Sequence, residues 1–424
     1  MTGPSLWQDS AEERFAAAPL AGDLDVDLAV IGGGFTGCSA ALAAARRGAS
    51  VALCEAQSIG FGGSGRNVGL VNAGLWLPPD SIAEVMGEEA GHRLTAALGA
   101  APDRVFDTIK AENIACEPVR AGTLHLAHSA GAVSDLAERA RQGNRHGAPI
   151  RLLDAEETAE RVGSPVYHGA LFDPRAGTVQ PLAYCAGLAR AARDHGAQLF
   201  EHTPATGVAR REGQWEVQTP GGQVRARRLL VATNAYHQGL SGAVRPRFTT
   251  VHFSQFATAP LSAAQRARIL PGGEGCWDTG LIMSSVRMDR AGRLIVGGMG
   301  NVTGPGRAVH AAWAGRLLRR LFPDLGPVGF GHAWQGRIAM TADHVPKIVG
   351  FGPGAYAVFG YSGRGIAPGT VFGMAVAEAL LDDSPEGLPV APVDRHGEVL
   401  TGLRSAWVEF GATLVHAMAD RGRR

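Results

Sequence analysis

The sequence predicts an α/β protein, α+β when taken whole, that combines a Rossmann-like unit with an antiparallel sheet. Three observations predict it. Val26–Ile31 is a short apolar run followed at once by Gly32-Gly33-Gly34-Phe35-Thr36-Gly37, a G-x-G-x-x-G pattern, and then by an alanine-rich stretch. Strand-like segments fill Arg247 to Gly300, with Asp289 to Gly292 placed as a hairpin turn. Near the end, Phe359–Gly363 reads as a strand running into a glycine turn, and Pro368-Gly369-Thr370 opens a further helix.

Each part of the first unit has a physical task. Gly32 lets the chain turn tightly, Gly34 lets the backbone approach a pyrophosphate, and Gly37 lets the helix pack against the strand. The helix Cys38–Arg47 presents its positive end to the phosphates, and Arg46, Arg47 and Gly48 close it. A second strand, Ser50–Cys54, ends at Glu55, placed to accept both ribose hydroxyls and to disfavour a 2′-phosphate. The pattern predicts dinucleotide binding.

Composition bounds the rest. A chain of 424 residues exceeds one core, so two domains are expected. A formal net charge of +1 argues against a nucleic-acid partner. Cys38, Cys54, Cys116, Cys185 and Cys276 are odd in number, scattered and without a C-x-x-C pair, which fits a reducing compartment and no metal site. Met1–Phe15 lacks a basic stretch followed by an apolar run, and no segment offers about 20 uninterrupted apolar residues. A cytoplasmic protein without a membrane span is expected.

The stretch Ile59–Gly69, IGFGGSGRNVG, holds five glycines in eleven residues and follows the ribose acid directly. It reads as a wall along a cofactor longer and flatter than a nicotinamide dinucleotide. With the preceding motif it resembles the FAD-dependent amine and amino-acid oxidases of the D-amino-acid oxidase (DAO) superfamily, nearest to the gamma-glutamylputrescine oxidase-like branch. The segments Ala176–Val208, Arg227–Tyr236, Trp334–Gly350 and Val358–Leu381 resemble that family in the same order.

The resemblance implies a glutathione-reductase-type FAD fold, with the FAD domain in residues 1–85, 168–245 and 328–424 and the substrate domain in 86–167 and 246–327. It implies FAD contacts from Gly32, Gly34, Phe35, Thr36, Gly37, Glu55 and Ala56. Further contacts are expected from Gly63, Ser64, Arg66, Asn67, Val68 and Gly69, from Val208, Thr233 and Asn234, and from Gly360, Tyr361, Ser362, Gly363, Arg364, Gly365 and Ile366. The implied reaction moves a hydride from the α-carbon of a neutral amine to flavin N5. Water then hydrolyses the imine and oxygen yields hydrogen peroxide. A dehydrogenase using a quinone or carrier, and a tailoring enzyme acting on an amine within a larger molecule, stand as alternatives.

Departures from the family pattern sharpen these expectations. Arg337-Ile338-Ala339-Met340 offers no cysteine where one branch anchors its flavin, and the glycine loop offers no histidine, so FAD is expected to be held non-covalently. Gly69 and Ala367 stand where that branch grips a substrate carboxylate with arginine and lysine. Arg364 replaces the usual histidine; it either supplies the missing cation or serves the pyrophosphate or the C-terminal helix. Lys347, one of two lysines, is either an oxygen-activating group or a surface residue. Trp334 and Tyr361 flank the flavin segments and are expected in the pocket. Trp76, Phe253, Trp277, Met283 and Met299 are further candidates. His252 and Gln255 lie three apart on one strand, so only one of them faces the flavin, and Gln255 is the candidate.

Overall fold

The computed structural model describes residues 5–304 and 306–419. The first four residues of the N-terminal stretch read above lie outside them. Two eight-stranded sheets organise the chain. The first is built from β1 (Leu24–Ile31), β2 (Val51–Cys54), β8 (Gln198–Phe200), β9 (Gly207–Arg211), β10 (Gln214–Thr219), β11 (Gly222–Val231), β17 (Lys347–Gly352) and β18 (Ala355–Phe359). Its order is β17-β18-β11-β1-β2-β8, parallel from β18 to β8, with β9 and β10 folded on as an antiparallel flap. β2 and the last four residues of β1, Leu28–Ile31, are buried and apolar throughout, as a parallel sheet covered on both faces demands, while Asp25 and Asp27 mark the outer end of β1.

The helix Phe35–Arg46 follows β1 without a linker and begins one turn earlier than the sequence suggests. Gly37 explains the close fit: a Cβ there would stand 1.9 Å from the Gly32 carbonyl oxygen. A Cβ at Gly373, on the helix Ile366–Asp382, would stand 2.3 Å from the Thr36 carbonyl oxygen, so the two helices pack backbone to backbone. Gly48, at φ +80°, ends the first helix in a left-handed turn.

The second sheet contains β4 (Thr123–Leu126), β5 (Arg151–Leu153), β6 (Ala170–Asp173), β12 (Thr249–Pro260), β13 (Gly275–Asp278), β14 (Ser284–Met288), β15 (Arg293–Met299) and β16 (Phe330–Met340). Its order is β16-β12-β15-β14-β13-β4-β6-β5, antiparallel except between β13 and β4. The turn Asp289–Gly292 joins β14 to β15, as expected. A short ribbon of β3 (Leu70–Val71) and β7 (Gly177–Thr178) stands apart from both. Two strands cross the expected segment edges: β6 and β16 lie in residues assigned to the FAD domain, yet both pair within the second sheet. β16 does so because β12 is long enough to hold it in register from Thr249 to Ala257, with a shift before Thr258.

Candidate active site

A cavity of about 1110 Å³ lies between the two sheets and is walled by both. Its first wall comes from the ends of the parallel strands. Gly32–Thr36 line it, and Glu55 lines it at the tip of β2. The Glu55 carboxylate accepts the Gly33 N–H at 2.7 Å and the Gln57 N–H at 2.9 Å, which fixes the acid at the strand end. Burial raises its pKa. Ser64 Oγ accepts the Phe35 N–H at 3.0 Å and ties the glycine-rich loop to the N-terminus of the first helix. The helix Ile366–Asp382 also points its N-terminus here: Gly365 and Ile366 line the cavity, and no side chain caps that end.

The loop itself is held from behind. The carbonyls of four successive residues each accept from a side chain. Trp334 Nε1 donates to Arg66 at 3.0 Å and Trp7 Nε1 to Asn67 at 2.8 Å. Arg287 Nη1 reaches Val68 at 3.2 Å and Gly69 at 3.3 Å, and also donates to Val179 at 2.6 Å. Trp7 and Trp334 meet edge to face at 5.6 Å, and Arg287 stacks over Trp7 at 5.5 Å. All three side chains are almost fully buried, and burial lowers the Arg287 pKa to about 10. This clamp rigidifies a segment that its glycines would otherwise leave loose.

The second wall belongs to the second sheet and its helices. Trp76, His125, Arg139, Phe253, Gln255, Trp277, Met283 and Met299 line it. Gln255 is fully buried, and neither amide atom has a hydrogen-bond partner. An unsatisfied buried amide facing a cavity is a group waiting for a ligand. His252, three residues away, points to the opposite face, where Nδ1 lies 3.6 Å from Glu409. His125 stacks on Trp277, with ring centroids 5.1 Å apart.

The structure sorts the remaining candidates. Phe35, Thr36, Ala56, Gly63, Ser64, Arg66, Asn67, Val68, Thr233, Asn234, Tyr361, Ser362, Gly363, Gly365 and Ile366 reach the cavity. The Tyr361 hydroxyl lies 2.7 Å from Thr36 Oγ1 and so is tied to the first helix. Gly37, Gly69 and Gly360 shape the walls without lining them: Gly69 (φ +85°) and Gly360 (φ +87°) occupy left-handed backbone. Val208 sits in the core under the first sheet, and Pro204–Thr206 take the cavity-facing place instead. Trp334 is sealed beneath Trp7, so it supports the loop and does not touch the cavity. Lys347 pairs with Asp343 at 2.5 Å and does not line the cavity. Arg364 stands behind the lining, between Trp76 and Trp277.

FAD fits these residues. An elongated cavity starts at a strand–glycine–helix turn with an acid at the next strand end, runs along a clamped glycine loop, and passes an uncapped helix N-terminus. The chain belongs to the DAO family, described as FAD dependent oxidoreductase, whose pattern matches residues 27–379. It is an FAD-dependent oxidoreductase. It is 31% identical to the probable oxidoreductase OrdL of Haemophilus influenzae over 404 residues, 92% of each chain. It is 30% identical to the gamma-glutamylputrescine oxidoreductase of Escherichia coli over 387 residues, 90% of this chain and 89% of that one. Among solved structures, glycine oxidase from Geobacillus kaustophilus superposes with a TM-score of 0.68 at 21% identity, covering 85% of this chain and 95% of that one. L-Proline dehydrogenase from P. horikoshii gives 0.69 at 20% identity, covering 88% and 97%. These two likenesses establish the fold. Among the described residues no helix is long and apolar enough to cross a membrane.

Proposed function

We propose that this enzyme oxidises the C–N bond of a small amine or amino-acid derivative to an imine, which water hydrolyses to a carbonyl compound. The observation that carries this reading is the single cavity whose one wall is the dinucleotide cradle and whose other wall is aromatic, with one unsatisfied amide, Gln255. FAD, when bound, supplies the hydride acceptor. The chain's residues do the rest. Gln255 orients the amine through its carbonyl and amide N–H groups. Trp76, Trp277, Phe253 and Met283 exclude water and hold the α-carbon against the reacting face. Glu55, Ser64 and the clamped loop keep the cofactor in register. The kinship with a gamma-glutamylputrescine oxidoreductase supports an amine within a longer, substituted chain.

We read oxygen as the electron acceptor and hydrogen peroxide as its product. One observation favours the second reading, a dehydrogenase serving a quinone or carrier: of the two lysines, neither Lys110 nor Lys347 lines the cavity, so no ammonium stands there to speed oxygen reduction. We further propose that the two lobes interleave as the two sheets do, that FAD is held non-covalently, and that the enzyme works in the cytoplasm, where its five buried free thiols stay reduced.

The test is anaerobic bleaching of the bound flavin by gamma-glutamylputrescine, N-methyl amino acids, D-amino acids and polyamines, followed by air. Bleaching and rapid recovery with peroxide is the expected result. Slow recovery in air selects the dehydrogenase. A fully loaded flavin that no amine bleaches rejects the amine-oxidising reading.

A further inference from the structure

We propose that the cavity wall between Trp76 and Trp277 is an anion subsite, in which Arg139, backed by Arg364, pairs with a carboxylate that the substrate carries. That the substrate is an amine rests on the function proposed above; the anion subsite does not.

Arg139 stands on the helix Ala130–Arg145 and lines the cavity. One of its N–H groups donates to the Trp76 carbonyl at 2.7 Å. The Arg364 guanidinium lies 4.8 Å from the Trp76 ring centre and 5.2 Å from that of Trp277. One of its N–H groups donates to the Ala73 carbonyl at 2.7 Å, and its Nε is buried without a partner. Among the described residues, no carboxylate lies within 4.0 Å of either guanidinium. Burial disfavours both charges, and Arg139 adds to the cost of Arg364, whose pKa falls to about 9 through burial and then through Arg139. His125 feels the same field. Burial, then Arg364 and Arg139, lower its pKa to about 3, so the ring is neutral.

The nearby acids act on this pair only from a distance: Asp135 favours the Arg139 charge, and Asp173, itself paired with Arg175 at 2.7 Å, favours the Arg364 charge. Asp135 and Glu138 sit at the rim and are exposed, and Glu138 is held by Arg141. The buried Asp278 carboxylate is turned into its own loop, accepting the Gly280 N–H at 3.0 Å, the Ser284 N–H at 3.1 Å and the Ser284 hydroxyl. Two guanidiniums in a partly desolvated wall, with no carboxylate in contact, gain from an anion that can reach them. A carboxylate suits a guanidinium best, because its two oxygens match two parallel N–H groups. The Trp76 and Trp277 rings, 6.4 Å apart and crossed at 87°, give aromatic surface for the carbons between carboxylate and amine. The substrate class is therefore an amine bearing a carboxylate, in preference to an uncharged or purely cationic polyamine. The grip comes from the helix Ala130–Arg145 and from Arg364, not from the positions of Gly69 and Ala367.

The experiment uses the FAD-loaded full chain, titrated with glutarate and with its uncharged diamide, and read by calorimetry and by the flavin visible spectrum. Glutarate should bind about tenfold or more tightly than the diamide, and Arg139→Gln should remove that preference while leaving diamide binding unchanged. Arg364→Gln should weaken glutarate by a smaller factor, and Arg139→Lys should restore part of the affinity. Variants are compared only where FAD content and circular dichroism match the parent. The parent's preference for glutarate over the diamide needs no variant at all. Equal binding of the two probes, binding of neither, or an unchanged glutarate affinity in folded Arg139→Gln would each overturn the subsite. Glutarate binding in an enzyme that no amine bleaches would leave the subsite standing and reject the oxidase reading instead.

Discussion

His310 Nδ1 lies 2.8 Å from His416 Nδ1, and both rings are fully buried. One ring must donate and the other accept, so the bond exists only while the accepting nitrogen is unprotonated. His416 also stacks flat on Trp313, 3.7 Å between ring centres, and so fastens the last helix, Thr401–Met418, to the helix Gly306–Leu321. Burial, then His310 and Arg316, lower the His416 pKa to about 3.

The sign of the pH effect follows. A histidine with a depressed folded pKa stabilises the fold above its unfolded value, and that stability drains away as pH falls from about 6.5 towards 3. Denaturant melts between pH 7.5 and 4.5 should show falling stability, on the order of a few kcal/mol in total. In His416→Gln the slope should flatten. An unchanged slope would place the acid sensitivity elsewhere.

The tryptophan clamp should control cofactor affinity without touching the cofactor. Trp7→Phe keeps the ring packing but leaves the Asn67 carbonyl without its donor, and Trp334→Phe does the same to Arg66. Each should cost about 1–3 kcal/mol, read as a lower melting temperature and weaker FAD binding in apoprotein titrations. A normal FAD affinity in both variants would show that the clamp does not shape the site.

Three glycines should separate by what surrounds them. Gly37→Ala drives a methyl group into the Gly32 carbonyl at 1.9 Å, so the protein should lose FAD or fail to fold. Gly34→Ala meets only Ser64 Oγ, at 2.9 Å, and should stay yellow with weakened binding. Gly315→Ala, inside a helix with no atom within 4 Å of the new methyl, should gain about 0.5–1 kcal/mol in thermal melts.

Gln255→Leu removes an amide that has no protein partner. The variant should keep its fold and its colour yet lose about tenfold or more in kcat/KM, because the lost group acts only on a bound molecule. Equal losses of stability and activity would make Gln255 a structural residue.

Acid or heat denaturation should release FAD into the supernatant. Of the five cysteines only Cys54 lines the cavity, and burial pushes its thiol up to about 12, so it stays protonated and unreactive. Yellow colour retained on the precipitate would contradict non-covalent binding.

The cradle was legible because its chemistry is local. A tight turn, a close backbone approach and an acid at a strand end leave marks within thirty residues of sequence, Val26 to Glu55. The three-residue spacing of His252 and Gln255 likewise placed them on opposite faces. The opposite wall left no such mark. Arg139 and His125 come from an ordinary amphipathic helix and a four-residue strand, and only tertiary packing brings them to Trp277. Trp334 shows the limit of proximity arguments: it flanks a flavin segment, but Trp7, more than three hundred residues earlier, covers it. The pairing of β6 and β16 with the second sheet depends on partners distant in sequence, which composition and motif order do not report.

The pairing of β1 with β11, in which Leu24 meets Val224, also governs how the molecule is born. The glycine motif leaves the ribosome among the first forty residues and its strand soon gains β2 on one edge, but the other edge waits for β11 about two hundred residues later, and β18 joins the sheet only after Ala355. A nascent chain thus carries one open edge on a parallel strand for about half of its synthesis, the situation in which aggregation competes with folding. The cavity lining runs from Ile31 to Ile366, so cofactor supply during translation has no finished pocket to fill until the last quarter of the chain is being made.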